Sequence, residues 1–297
     1  MQVFFSVIIP VYNRKQLIKP VIDSVLKQSY SYFEVLIIDD GSSDNIEEFI
    51  AKEYTDERVK YFYKANGERG AARNFGLEKA KGNYAVFLDS DDLMESFYLS
   101  TLLEIIKEYP TQGFFAAKYN FILPNGKQFP STINSLKEGF YDFKFFLQGN
   151  VLACNFCIKL FDFDYIKFPP ERELASMEDW LFVLLNTKSN PIFIKDIVCV
   201  HMQEHEGRSM AQNNVVIKAR KNATEWILKN MPLSSSEKKI LKTWSHYFCG
   251  VHEYLDNNRR RAINESIDVI RLGGLKREFL LLFFKSIIGR RLIKNYK

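Results

Sequence analysis

Apolar runs alternate with helix-patterned segments through the first 110 residues of the 297-residue chain, and this alternation limits the fold more than any other feature. The runs at 4–11, 33–38 and 85–88 are almost continuously apolar, which is typical of strands buried on both faces of a parallel sheet. Segments 17–26 and 71–79 have the pattern of helices. The alternation predicts an α/β fold with an open, mostly parallel central sheet, right-handed crossovers and flanking helices.

Finer features refine this prediction. Residues 59–63 predict another strand. Pro20 is expected to be tolerated only in the first turn of its helix, because proline lacks the N–H that later turns require. Ser43 or Asp44 is expected to cap the helix after the second strand with a side-chain oxygen.

The second part of the chain is patterned differently. Residues 111–175 are less regular, with a strand-like segment at 113–123 followed by a turn at Pro124-Asn125-Gly126. A helix is predicted at 177–186 and a strand at 191–200, and the pattern becomes helical from about residue 213 onward. We therefore expect a C-terminal helical extension over 213–297.

Charge is concentrated near the C-terminus. Seven basic residues lie between Lys276 and Lys297 against the single acidic Glu278, whereas the whole chain has a formal net charge of +5. The near-neutral remainder argues against a nucleic-acid-binding surface. A basic amphipathic tail instead predicts contact with an anionic membrane surface, the apolar face being Phe279, Leu280, Phe283, Phe284, Ile287 and Ile288. Packing of this helix on the protein itself, or a homo-oligomer interface, is the alternative.

Cysteine usage and hydropathy indicate the compartment. The C-x-x-C of Cys154 and Cys157 has no second pair, so buried reduced thiols are expected rather than zinc. The apolar run at 3–11 lacks the features of a signal peptide. No stretch reaches the roughly 20 apolar residues of a membrane span. The expected location is the cytoplasm, at the membrane periphery.

Polar clusters follow the predicted strands at 4–11, 33–38 and 85–88. Ligands of open α/β sheets bind beyond the carboxyl ends of the strands, so these clusters should converge. Asp89, Asp91 and Asp92 offer carboxylate oxygens, the ligands that hard divalent cations prefer, and such a cation bridges carboxylates to a diphosphate. The alternative is an exposed acidic turn that caps a helix.

Other polar residues have similarly open interpretations. Asp40 could accept hydrogen bonds from a nucleobase or a ribose, or could simply be part of a tight turn. Arg73 could offset the charge of a diphosphate, or could be solvated. Glu178 and Asp179 begin a helix, where acidic residues complement the helix dipole, but in a crevice one of them could accept a proton from a hydroxyl. His205 could bind a metal or contact a phosphate, or could simply lie in a surface loop.

In combination, these segments resemble the family 2 inverting nucleotide-sugar glycosyltransferases, which have the GT-A fold. The order and spacing of the segments are specific, and the resemblance covers roughly residues 4–210. The matching segments are SVIIPVYN at 6–13, EVLIIDDGSSD at 34–44, GAARNFG at 70–76, FLDSDD at 87–92, KLF at 159–161, EDW at 178–180 and HEG at 205–207. The resemblance implies a GT-A domain at 1–212, with a nucleotide-sugar-binding half (1–110) and an acceptor half (111–212).

The resemblance also implies roles for individual residues. Pro10, Tyr12 and Asp40 would frame the nucleobase of the donor, with Asp40 accepting hydrogen bonds from the base. Arg73 would face the diphosphate or the sugar, and Asp89 would contact the ribose or the sugar.

The remaining roles concern the metal and the chemistry. Asp91 would hold Mn²⁺ or Mg²⁺, and His205 would lie near the diphosphate or the metal. Asp179 would be the general base that deprotonates the acceptor hydroxyl, giving one displacement and inversion at the anomeric carbon. Arg208 stands before Ser209 as an apparent one-residue insertion in the His205 loop.

The expected partners are a nucleotide-sugar donor, with UDP-sugars favoured, and a glycan or lipid-linked acceptor in cell-surface polysaccharide assembly. The missing Gln-x-x-Arg-Trp motif of processive synthases favours transfer of a single sugar. A non-catalytic nucleotide-sugar-binding protein and a nucleotidyltransferase are the alternatives, although the expected Gly-rich, Lys-containing phosphate loop is not evident. A dinucleotide oxidoreductase is disfavoured because no G-x-G-x-x-G occurs.

Overall fold

The computed structural model describes residues 2–205 and 212–290. The chain divides into two compact units. The first comprises residues 2–142, Val151–Arg172 and Leu185–His205. The second comprises Phe143–Asn150, Glu173–Leu184 and, among the described residues, 212–290. The predicted boundary between 212 and 213 stays a prediction.

The first unit is built on one mixed sheet with helices. Its strands, numbered along the chain, are β1 (Phe5–Val11), β2 (Phe33–Asp39), β3 (Val59–Tyr63), β4 (Tyr84–Phe87), β5 (Asp92–Met94), β6 (Phe114–Ile122), β7 (Gln128–Pro130), β8 (Gly139–Tyr141), β9 (Phe156–Lys159) and β10 (Ile192–Gln203). Its helices are α1 (Lys15–Leu26), α2 (Ile46–Glu53), α3 (Glu68–Lys79) and α4 (Tyr98–Glu108). The strand order is β3-β2-β1-β4-β9-β6-β10-β5, with β7 paired to β6 and β8 paired to β10.

The predicted parallel sheet is confirmed in its N-terminal half. Strands β3, β2, β1 and β4 are mutually parallel neighbours, and every residue of β1, β2 and β4 is buried. Helix α3 packs closely on β1, since a Cβ at Gly76 would collide with Ile8. The next strand, β9, runs antiparallel between β4 and β6.

Two local predictions are wrong. Pro20 lies beyond the first turn of α1, which begins at Lys15. The helix tolerates it because Gln16 and Pro20 are exposed, so water can solvate the Gln16 carbonyl that proline cannot satisfy, while Ile18 and Val21 are buried.

The second error concerns the cap of α2. Asn45, in a left-handed conformation with φ 57°, precedes α2, and no side chain caps it. The Asp44 carboxylate instead accepts from the N–H of Lys15 at the start of α1, at 2.8 Å. Asn13 N–H donates to Ser42 Oγ, also at 2.8 Å, so the loops after β1 and β2 are joined.

The later strands complete the sheet. Strand β6 and its turn at 124–126 match the prediction, and Gly126 has the positive φ of 80° that this turn requires. Strand β10 runs parallel to β6 with an irregular register between Lys195 and Val200. There the buried Lys118 ammonium pairs with Asp196 at 2.6 Å. Strand β10 also pairs with β5, whose first residue is Asp92.

The second unit is helical. It contains α5 (Phe143–Phe146), residues 178–184 of α6 (Glu178–Thr187), α7 (Asn213–Asn230), α8 (Ser235–Leu255), α9 (Arg259–Gly273) and α10 (Arg277–Ile288). The Phe279 ring of α10 is buried and lies 5.5 Å from Trp244 and 5.6 Å from Tyr247 of α8, centroid to centroid. Across both units, all four cysteines are free and buried, as predicted.

The apolar face predicted for α10 is therefore divided. Of its six residues, Phe279 is buried, Leu280 and Phe283 are half-buried, and Phe284, Ile287 and Ile288 are exposed. The Phe279 side of α10 packs against aromatic residues of α8 and is therefore not available to a membrane. Residues 291–297, which carry three of the basic residues of the predicted tail, lie outside the described residues. Within 2–205 and 212–290, none of the helices is long and apolar enough to cross a bilayer.

Candidate active site

The carboxyl ends of β2, β1 and β4 lie side by side at one edge of the sheet. Pro10 is buried in β1 and registers with Ile38, and the ring of Tyr12, just beyond β1, is 51% exposed. Asp40 follows β2 and Asp89 follows β4. The predicted convergence of the three polar clusters is thus confirmed, because parallel neighbours place these ends together.

Asp40 is buried and held by the loop after β3. Its Oδ1 accepts from Lys64 Nζ at 2.5 Å and from the Gly67 N–H at 2.9 Å, and its Oδ2 accepts from Asn66 Nδ2 at 3.2 Å. These contacts fix the carboxylate at the end of β2. Each carboxylate oxygen can accept more than one hydrogen bond, so this anchoring leaves Asp40 able to accept from a ligand.

Arg73 and Asp89 form an ion pair at the end of β4. Arg73, on α3, is 1% exposed, and its Nη2 donates to Asp89 Oδ1 at 2.7 Å. The guanidinium also lies over the Phe168 ring, 5.4 Å from its centroid. Burial alone would raise the pKa of Asp89, but Arg73, Arg69 and Arg14 lower it below its ordinary value, which keeps the carboxylate charged.

Asp89, Asp91 and Asp92 bring carboxylate oxygens within 4.8 Å of one another. Three oxygen donors at this spacing fit a hard divalent cation such as Mn²⁺ or Mg²⁺. Asp89 and Asp91 lie in the short connection from β4 to β5, and Asp92, the first residue of β5, donates its N–H to the Asp89 carbonyl at 3.1 Å. The residues therefore have the chemistry of a metal site.

Asp91 is approached from two other segments. Arg14 Nη1 lies 2.5 Å and His205 Nε2 lies 2.8 Å from Asp91 Oδ2. The Asp91 carbonyl also accepts from Gln203 Nε2 of β10 at 2.9 Å, which places the end of β10 beside the acidic cluster. The Arg208 insertion of the His205 loop lies outside the described residues.

Arg14 was not among the site residues predicted from the sequence. It directly follows Tyr12 and Asn13 at the carboxyl end of β1, and its position there was the available signal. A cation immediately after the first strand of such a sheet is a candidate partner for an anion beyond the strand ends.

Asp179 belongs to the second unit. Its Oδ1 accepts from the Trp180 N–H at 2.7 Å, and its Oδ2 accepts from Asn150 Nδ2 at 2.8 Å. Glu178, beside it, is buried. Asn150 was also missed, because it lies in a stretch with no regular pattern. The other site residues predicted from the sequence, Pro10, Tyr12, Asp40, Arg73, Asp89, Asp91 and His205, lie in the first unit.

Known proteins share this architecture. The chain is similar to S. aureus TarS 1-349, solved in complex with UDP-GlcNAc, with a TM-score of 0.67, 22% identity, and coverage of 99% of this chain and 89% of that chain. This likeness confirms the predicted fold, a GT-A arrangement with a mostly parallel sheet, flanking helices and C-terminal helices.

Sequence relatives agree with the fold. An uncharacterized glycosyltransferase of Rickettsia conorii is 44% identical over 134 residues, which are 45% of this chain and 22% of the relative. TuaG of Bacillus subtilis, a glycosyltransferase assigned to teichuronic acid biosynthesis, is 31% identical over 182 residues, 60% of this chain and 71% of TuaG. The chain thus spans less than a quarter of the Rickettsia relative but most of TuaG.

The sequence profile described as glycosyl transferase family 2 matches residues 6–168. This match covers more than half of the chain and includes β1 to β4, the acidic cluster and Arg73. The chain belongs to glycosyl transferase family 2.

Proposed function

We propose that the chain transfers a single sugar, with inversion, from a UDP-sugar to an acceptor hydroxyl, and that it requires Mn²⁺ or Mg²⁺. The observation that carries the proposal is the clustering of Asp89, Asp91 and Asp92 beside Arg14, Arg73 and His205 at the carboxyl edge of the sheet. An acidic cluster surrounded by cationic side chains suits a metal-bound diphosphate. Family membership and the UDP-GlcNAc complex of TarS support the choice of donor.

Asp91 would hold the metal, with Asp89 and Asp92 nearby, and the metal would offset the charge of the departing diphosphate. Arg14 engages Asp91 and Arg73 engages Asp89. Either guanidinium could also donate to diphosphate oxygens, because its planar fork carries several N–H groups. His205 would lie near the diphosphate or the metal.

The nucleoside would lie against the ends of β1 and β2. The exposed Tyr12 ring offers a flat apolar surface after the buried Pro10, and the anchored Asp40 offers a charged acceptor for a base N–H. Asp89 would contact the ribose or the sugar. A donor bound through both its base and its diphosphate would be held at two points, which fixes the sugar for reaction.

Asp179 would take the proton from the acceptor hydroxyl. Its Oδ1 accepts from the Trp180 N–H and its Oδ2 accepts from Asn150 Nδ2, and a carboxylate oxygen can accept more than one hydrogen bond, so Asp179 can also accept a proton from a hydroxyl. The deprotonated hydroxyl would attack the anomeric carbon from the face opposite the diphosphate. A single displacement of this kind inverts the configuration and needs no covalent sugar–enzyme intermediate.

We also propose that the acceptor is a glycan or lipid-linked molecule of cell-surface polysaccharide assembly, with the protein at the cytoplasmic membrane face. The assignment of TuaG to teichuronic acid biosynthesis supports the polysaccharide setting. The exposed apolar residues of α10, together with the exposed Arg277 and Lys285, support contact with an anionic lipid surface.

The test is a panel of nucleotide-sugars incubated with the protein, with and without Mn²⁺, while nucleoside diphosphate release is measured. Release from a UDP-sugar that requires metal, with inversion of the released sugar measured by NMR, supports the proposal. Release of inorganic pyrophosphate from a nucleoside triphosphate and a sugar phosphate would indicate a nucleotidyltransferase. Tight UDP-sugar binding without turnover, with or without a carbohydrate acceptor, would indicate a non-catalytic binding protein.

A further inference from the structure

A buried arginine in the second unit has no carboxylate partner among the described residues. Arg220, on α7, is 1% exposed, and burial lowers its pKa to about 9. The Nε of Arg220 has no hydrogen-bond partner within the described part of the chain. A cation in such a place carries a desolvation cost that an apolar side chain of similar length would avoid. Set against this cost, the guanidinium makes contacts that an apolar side chain could not make.

The contacts of Arg220 connect α7 with the segment of residues 146–150. The Arg220 guanidinium lies over the Trp180 ring at 3.6 Å from its centroid and over the Phe248 ring at 5.2 Å. Arg220 Nη2 donates to the Gln148 carbonyl at 3.3 Å. Trp180 Nε1 donates to the Phe146 carbonyl at 2.7 Å. Arg220 and Trp180 thus hold the same short segment, at carbonyls two residues apart.

This segment ends at Asn150, whose Nδ2 donates to Asp179 Oδ2 at 2.8 Å. The other carboxylate oxygen, Asp179 Oδ1, accepts from the N–H of Trp180, the residue on which Arg220 stacks. Arg220 is therefore connected to each oxygen of Asp179 by a separate route. One route passes through Gln148 and Asn150, and the other passes through Trp180.

We propose that Asn150 and Arg220 are positioning residues that fix the Asp179 carboxylate for proton transfer. This inference rests on the proposed role of Asp179 as the general base. Asn150 acts directly on the carboxylate, and Arg220 acts through the 146–150 segment and Trp180. A base held at two oxygens keeps one orientation toward the acceptor hydroxyl, and misplacement by about 1 Å can cost about 100-fold in rate.

The test measures steady-state turnover of the nucleotide-sugar that the panel selects, with melting temperature as the check on folding. Asn150→Ala should lower kcat by about 10- to 100-fold while the donor KM changes less than about twofold. Arg220→Met should lower kcat in the same way, and Arg220→Lys should recover only part of it because lysine lacks the planar fork. Asn222→Ala is the matched control. It removes a half-buried asparagine of α7 that donates to the Glu173 carbonyl at 3.1 Å, and kcat should not change.

A double-mutant cycle separates positioning from a general structural role. In an Asp179→Asn background, Asn150→Ala and Arg220→Met should lower the residual turnover no further, because both act through Asp179. If they still lower it, or if Asn150→Ala alone leaves kcat unchanged, the inference is wrong while the role of Asp179 stands. If Asp179→Asn itself retains full turnover, the proposed base is wrong as well. If Arg220→Met does not fold, the same measurements are made on Asn150→Ala and Arg220→Lys.

Discussion

The guanidinium of Arg14 lies 2.5 Å from Asp91 Oδ2, the same carboxylate oxygen that His205 approaches at 2.8 Å. A divalent cation bound by Asp91 would compete with Arg14 for this oxygen. Arg14→Gln should therefore tighten Mn²⁺ binding in the absence of donor by about tenfold, or about 1.4 kcal/mol. Electron paramagnetic resonance of free Mn²⁺ during titration measures the affinity.

Arg58→Gln is the control for this variant. It removes a guanidinium of the same unit whose partner is Asp56, at 2.7 Å, rather than the acidic cluster. Arg58→Gln should leave Mn²⁺ affinity unchanged. Weaker Mn²⁺ binding in Arg14→Gln would mean that Arg14 organises the site instead of competing for it.

The metal assignment itself is tested at Asp91. Asp91→Asn keeps the side-chain shape but removes the charge, so the fold should stay intact. Mn²⁺ affinity should fall by more than about 100-fold, since even the loss of an outer-shell partner costs about 10- to 100-fold. Full, metal-responsive donor turnover in this variant would contradict the assignment.

The general base is tested at Asp179. Asp179→Asn should retain the affinity for UDP, measured by calorimetry, and lose about 10²- to 10⁴-fold in turnover, because a missing general base costs about that much. If turnover survives and UDP binding collapses instead, Asp179 is a binding residue. Glu178→Gln then becomes the variant to measure.

The membrane proposal is tested on the exposed face of α10. Phe284→Gln with Ile288→Gln should lower co-sedimentation with phosphatidylserine-containing vesicles at least about tenfold, because burial of each side chain is worth about 1.5–3 kcal/mol. Binding of the unaltered protein should weaken as salt rises. Phe161→Gln, which removes a 56% exposed phenylalanine of the other unit, is the control. Equal sedimentation of all three proteins at low salt would rule out this surface.

Truncation before α10 would test the membrane proposal less well. Phe279 is buried beside Trp244 and Tyr247, so a chain that ends at Leu275 would uncover the aromatic surface of α8. Loss of vesicle binding in that chain could then follow from unfolding alone. Point substitutions on the exposed side avoid this ambiguity.

A buried carboxylate links stability to pH. Glu34 accepts from Ser6 Oγ at 2.7 Å, Lys60 Nζ at 2.6 Å and the Lys81 N–H at 2.7 Å. Burial alone would raise the pKa of Glu34, but these donors lower it below its ordinary value of 4.5.

Because the folded-state pKa is depressed, the contribution of Glu34 is complete above pH 4.5 and is lost as pH falls through the folded-state pKa. Glu34→Gln should therefore lower the free energy of unfolding by about 1–3 kcal/mol at pH 7. Urea unfolding at several pH values measures the difference between the two proteins. A difference that stays constant down to pH 3, or grows as pH falls, would contradict this linkage.

The apolar pattern of the chain was sufficient to predict the parallel half of the sheet and the edge at which the candidate site lies. Continuous apolar runs specify β1, β2 and β4 because a strand covered on both faces excludes polar side chains. Once these strands are parallel neighbours, the polar residues that follow them must meet at one edge. The proximity of Asp40 and Asp89 therefore follows from the sequence pattern.

The pairing of side chains at that edge, and the surfaces that become covered, depend on contacts made in three dimensions. The contacts of Arg14 with Asp91, Asp44 with the start of α1, and Asn150 with Asp179 join segments that are distant along the chain. Hydrophobic periodicity records only whether a residue faces the core, so it carries no information about such partners. For the same reason the sequence showed that α10 is amphipathic, but only its packing on α8 decided that Phe279 is buried and Phe284 exposed.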